Sequence, residues 1–169
     1  MEARRAPQPP SYPFQLSLRI RHPSIDPDSI SRELQLDPEH SFRAGDPRES
    51  NRSLTAIATV HTESYWLGTI DPATLLPGEA LKLGFPPELR LQSHETMAFG
   101  GLDSALLLWT NGMLRRHAEF FRRLESEGGE VRLIVALSAR KARGFTLTPH
   151  VSKALSELRI PVDFELAHR

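Results

Sequence analysis

Between Phe14 and Arg21 the apolar residues Phe14, Leu16, Leu18 and Ile20 alternate without a break with Gln15, Ser17, Arg19 and Arg21. Period two is the signature of a strand with one face on a core and the other turned away from it. Val131, Leu133, Val135 and Leu137 repeat the pattern, although Ile134 and Ala136 make the second face of that run less polar. Two such strands point away from a purely helical fold.

The stretches between and after them carry helical signals. Asp26 suits an N-cap, Pro27 the first helical position, and Ile30 and Leu34 share one face before Asp37-Pro38 stops the helix. A long helix is predicted from Ser104 to about Glu127. Leu107, Leu114, Phe121 and Leu124 form its core stripe, with Met113 and His117 beside them and Gly128-Gly129 at its end. Thr148-Pro149 opens a last helix with Val151, Ala154, Leu155 and Leu158 inward. Pro161 ends it, and Val162, Phe164 and Leu166 make a final strand. Leu54–Val60 and Tyr65–Ile70 read as two further strands, with Ser41–Arg48 as a turn-rich connection.

The predicted order is β-α-β-β-α-β-α-β. Its first six elements give an α+β fold of the ferredoxin-like kind, a mostly antiparallel sheet with helices on one face, extended by a C-terminal helix and strand. Residues 1–13, with four prolines and two adjacent arginines, read as a flexible arm, and residues 14–169 as one domain. Within it, 71–103 reads as a long irregular insertion. It is broken by Pro72, Pro77, Gly78, Gly84 and Pro86-Pro87, yet it is rich in Leu and Phe, so part of it must pack down.

Three groups of residues then suggest a family. The first strand is followed by Asp26-Pro27-Asp28-Ser29-Ile30; a basic-Gly-acidic turn follows at Arg43-Ala44-Gly45-Asp46; and Tyr65-Trp66 sits on a strand. With the helix and short strand from Gly144 to Asp163, these resemble a bacterial family known only as domain-of-unknown-function family 4279, over about residues 14–166. The long stretch between Trp66 and the main helix departs from that pattern. The resemblance implies the fold and supplies neither a reaction nor catalytic residues.

Charge and composition narrow the function. Lys plus Arg and Asp plus Glu each total 21, so bulk attraction to nucleic acid is not expected. Eighteen of the cations are Arg. Arg115-Arg116 and Arg122-Arg123 are interleaved with Glu119, Glu125 and Glu127, as on an ordinary solvated helix face. The RNA-reading version of this fold places aromatics on its central strands, and Val131–Leu137 has none. Absence of Cys removes disulfides, thiolate sites and cysteine nucleophiles. The seven histidines are never closer than eighteen residues apart, so no short ligand spacing exists and no metal is expected. Nucleophile elbows, P-loops and dinucleotide fingerprints are missing too, and no catalytic residue or cofactor is expected. Asp26 and Asp28, a pair of carboxylates, are accounted for by the helix start. No run is apolar enough for a membrane span or a signal peptide core, which leads to an expected cytoplasmic location.

The functional expectation is a non-catalytic module that binds another protein through its loops. A toxin is one such partner, which would make the chain an immunity or antitoxin-type protein of a bacterial conflict system. A small-ligand sensor using Trp66 and Arg43 is the alternative, and an enzyme with an unrecognised acid–base site is the third reading. The residues expected to touch a partner or ligand are Arg43, Asp46, Trp66, Lys82, Phe85 and Arg90. Neither nucleic acid nor membrane is expected as a partner, and the chain is expected to be a monomer or weak homodimer.

Overall fold

The computed structural model describes residues 14–48, 60–70, 101–138 and 147–167. The arm at 1–13, the irregular segment at 71–100, the basic loop at Arg140–Gly144 and all of the expected strand at Leu54–Val60 except Val60 lie outside them.

The elements are β1 (Phe14–His22), α1 (Pro27–Leu34), β2 (His40–Phe42), β3 (Ser64–Ile70), α2 (Gly101–Trp109), a π-helical turn (Thr110–Leu114), α3 (Ala118–Ser126), β4 (Glu130–Ser138), α4 (Pro149–Leu158) and β5 (Val162–Ala167). The five strands form one sheet in the order β2-β3-β1-β4-β5. Every pairing is antiparallel except β4 with β5, which are parallel and joined through α4. The protein is therefore α+β, with a mostly antiparallel sheet and four helices among the described residues.

One face of the sheet supplies the core. Leu16, Leu18 and Ile20 of β1, Trp66 and Ile70 of β3, and Val131, Leu133, Val135 and Leu137 of β4 are buried. They pack with Ile30 and Leu34 of α1, Leu106 and Trp109 of α2, Leu114, Phe121 and Leu124, and Val151 and Leu155 of α4. Helix starts follow the local chemistry. The Asp26 side chain accepts from the Asp28 N–H ahead of Pro27, and Thr148 caps α4 ahead of Pro149. Thr148 is itself held by Asp103 of α2, which accepts from its N–H at 2.8 Å and its hydroxyl at 3.0 Å.

Two expectations are corrected. The strand before β3 in the sheet is His40–Phe42, which overlaps the start of the Ser41–Arg48 segment read as a connection. Three residues with two polar members carry no periodic signal; they become a strand because β3 offers them an unpaired edge. The long helix begins at Gly101 rather than Ser104 and is interrupted. Up to Trp109 the members of the apolar core cluster, Leu102, Ala105, Leu106 and Trp109, step by one or three residues, but the next member, Leu114, comes five residues later. A π-helical turn absorbs the extra residue and returns Leu114, Phe121 and Leu124 to the core. The buried Thr110 hydroxyl donates to the carbonyl of Leu106 there. Leu107 ends up at the margin, half-buried against the core, while Leu106 and Trp109 occupy the centre. The Gly128-Gly129 pair ends α3 as expected: Gly128 has φ 87°, and the Gly129 N–H donates to Leu124 at 2.8 Å.

Candidate functional site

The second face of the sheet collects residues that strand alternation turns away from the core. Register places them in rows. Phe42 of β2, Tyr65 of β3, Arg21 of β1 and Glu130 of β4 lie across one line; His40, Leu67, Arg19 and Arg132 lie across the next. Asp163 of β5 is opposite Ile134, one row further.

Arg19 and Arg132 stand directly opposite, a like-charge cross-strand pair that is unfavourable by itself. Asp163 resolves it. One carboxylate oxygen is 2.9 Å from Arg19 Nη2, and the other is 3.2 Å from Arg132 Nη1. Arg132 Nε also donates to Glu130 at 2.6 Å. That hydrogen bond, followed by the charges of Glu130 and Asp163, raises the Arg132 guanidinium above its ordinary value against a small opposing desolvation. A raised folded-state value gives a contribution that is present below the ordinary arginine range and lost only above it. The cluster's cation is therefore constant through acid and neutral pH. Arg21 pairs with Glu63 at 3.8 Å, so each of these three arginines has a carboxylate partner. Arg19 Nε is buried and has no hydrogen-bond partner among the described residues.

Beside the charges is a stack of rings. Phe42 lies 3.6 Å from His61 and 5.1 Å from Tyr65, centroid to centroid, with the Tyr65 ring inclined by only 11°. Tyr65 is in turn opposite Arg21. The face thus combines Arg and aromatic groups on a broad surface, the residue types that anchor protein contacts.

Asp163→Ala leaves Arg19 and Arg132 opposed with no bridge. Asp163 is 30% exposed, so the loss falls between a surface pair and a buried one, at about 1–3 kcal/mol in urea unfolding. Adding Arg19→Met to this variant should restore part of the loss, and purely additive effects would contradict the bridging role.

Arg43 and Asp46 form a compact turn. The Arg43 N–H donates to Asp46 at 2.8 Å, and Arg43 Nη2 reaches Asp28 at 2.7 Å and Asp26 at 2.8 Å. The two carboxylates at the start of α1 thus serve both the helix and this guanidinium, tying the β2–β3 connection to α1. Trp66 is fully buried and donates its indole N–H to Ser31 of α1 at 2.9 Å. Lys82, Phe85 and Arg90 lie outside the described residues. Arg43 and Trp66 are not brought together around a shared cavity; each bonds a different part of α1.

Sequence reading missed His22. It is buried at the end of β1, and its Nδ1 accepts from the N–H groups of Ser24 (3.1 Å) and Ile25 (2.9 Å), which places the ring proton on Nε2. Nε2 lies 3.3 Å from Glu127 but is not aligned for a hydrogen bond. Histidine followed by proline at a strand end was the available signal. His117 is half-buried, with Nδ1 3.3 Å from Glu33.

A depression of about 350 Å³ lies between α3 and α4, lined by Arg115, Arg116, Glu119, Arg122, Glu157 and Leu158. Arg115 is bonded to Glu157 at 2.6 Å, and the carbonyl end of α4 opens onto it. Two carboxylates and a helix C-terminus answer the three cations, which disfavours an anion there. Among the described residues no group of His, Asp and Glu could hold a metal ion, and no helix is long and apolar enough to cross a membrane. No family model, curated protein or solved structure matches the chain.

Proposed function

We propose that the protein is a non-catalytic protein-interaction module whose contact surface is the second face of the sheet. The observation that carries this reading is the row Phe42–Tyr65–Arg21–Glu130 beside the bridged Arg19–Asp163–Arg132 cluster. An immunity or antitoxin-type protein, with a toxin as partner, is one role in this class that suits the sequence. The sensor reading draws no support from Trp66, whose ring has no exposed surface.

The same proposal includes the ferredoxin-like arrangement for the first six elements. It is supported by the order β2-β3-β1-β4 with antiparallel neighbours, to which α4 and β5 are added. The resemblance to domain-of-unknown-function family 4279 belongs to it as well: the Asp-Pro-x-x-Ile helix, the Arg43–Asp46 turn and the Tyr65-Trp66 strand are each structural joints here.

Affinity capture from a bacterial lysate tests the reading when wild type is compared with Arg21→Glu/Tyr65→Ala. The expected result is one protein held by wild type and lost by the double variant at unchanged circular dichroism. Retention of that protein by the folded variant would overturn the assignment of the face. Nucleic acid serves as a second probe. Because the arginines of this face are already answered by carboxylates, titration with duplex or single strands should show no submicromolar, salt-sensitive binding.

A further inference from the structure

The three arginines of the second face are not held alike. Arg19 and Arg132 have carboxylate oxygens of Asp163 at 2.9 and 3.2 Å and are 21% and 35% exposed. Arg21 is 45% exposed, and its carboxylate, Glu63, lies 3.8 Å away. Register offers Arg21 a second one, because Glu130 stands directly opposite it on β4. Glu130 is engaged by Arg132 instead, whose Nε donates to it at 2.6 Å. Arg21 is therefore the most loosely answered and the most exposed cation of the face.

On its other flank Arg21 stands opposite Tyr65 of β3, whose ring is stacked on Phe42. Side chains paired in this way leave the same face with Cβ atoms about 4.5–5.5 Å apart. A guanidinium and a phenol hydroxyl, both able to donate, thus emerge side by side. We propose that Arg21 and Tyr65 anchor a carboxylate side chain of the partner protein, which docks on this face through an acidic segment. This rests on the protein-interaction reading above and names the partner's chemistry.

Charge decides between occupants. An exposed pair as long as Arg21–Glu63 contributes little, so displacing Glu63 costs little, whereas a carboxylate at hydrogen-bond distance gains a charge-assisted bond. A phosphate suits the place less well. It carries close to two negative charges, and Glu63 and Glu130 both repel it. A basic segment meets Arg21 as a like charge. Arginine and tyrosine are also the residue types that dominate binding energy at protein contacts.

The test uses the full chain, inorganic phosphate and three blocked peptides that alternate leucine with glutamate, glutamine or lysine. Titration is followed by the nuclear magnetic resonances of the Arg21 side chain and the Tyr65 ring. The glutamate peptide should shift them at millimolar concentration, less so as salt rises. The glutamine and lysine peptides should bind about fivefold more weakly or worse, the loss of roughly one ion pair. Arg21→Gln should abolish the preference for glutamate. Glu63→Gln should tighten binding of the glutamate peptide by removing its competitor, and Glu119→Gln, on the helical side of the sheet, should leave it unchanged. Absence of shifts at millimolar peptide, equal binding of the glutamine peptide, or unchanged affinity in Glu63→Gln would each overturn the proposal. So would equal shifts with inorganic phosphate, which would make a phosphate the ligand, or shifts that grow with protein concentration alone, which would make a second copy the occupant. If the Arg21→Glu/Tyr65→Ala variant loses its captured protein while the peptides fail, the acidic anchor is wrong and the contact face stands. If the peptides succeed while that variant keeps its captured protein, the reverse holds.

Discussion

Gly68→Ala is expected to destabilise the fold by about 3 kcal/mol, the upper end of the usual overpacking cost. Alanine in a strand normally gains on glycine by about 0.5–1 kcal/mol, so the sign alone is diagnostic. A Cβ at Gly68 would come within 2.2 Å of Trp66 Cη2 and 2.8 Å of Cζ2. The indole lies across the neighbouring position on its own strand face and cannot retreat, because it is fully buried and its N–H is tied to Ser31. Glycine is therefore required here for space. In a Trp66→Leu background the same change should lose most of its cost, and the difference, read by urea unfolding followed with circular dichroism, isolates the clash. Equal costs in both backgrounds would show that the ring and the glycine are not in contact.

Leu114→Ala should cost about 2–5 kcal/mol, the range for removing a fully enclosed leucine. Leu114 closes the π-helical turn and is the first apolar residue of the core after Trp109. Leu107→Ala, at the half-buried margin, should cost distinctly less. A Leu114→Ala loss below about 0.5 kcal/mol would match an exposed position and contradict the helix path.

β1 and β4 were legible because their alternation is local and one face of each is buried. α1 and α4 were legible from Asp26-Pro27 and Thr148-Pro149. The π-helical turn was written only as the five-residue step between the apolar core residues Trp109 and Leu114, which a seven-residue stripe through Leu107, Leu114 and Phe121 conceals. β2 was illegible because its pairing comes from β3 and not from its own residues. The candidate face was hidden for a related reason. Arg19, Arg132 and Asp163 are unremarkable along the chain, and only cross-strand register makes two of them a repulsive pair and the third their bridge. Trp66 next to Gly68 on one strand face was the readable sign of a core tryptophan, since the small residue leaves room for the ring.

The placement of β1 also governs how the chain reaches this structure. Leu16 lies between Ile70 on one side and Val135 on the other, so the central strand is completed by a partner about 120 residues later in the chain. At ribosomal rates of roughly 5–20 residues per second, β1 waits on the order of 6–24 s after its own synthesis before β4 emerges. During that interval the apolar row Leu16, Leu18 and Ile20 has one flank unsatisfied, and a chaperone that shields extended apolar segments would raise the yield of native protein more by acting on β1 than on the late-made, promptly paired β5.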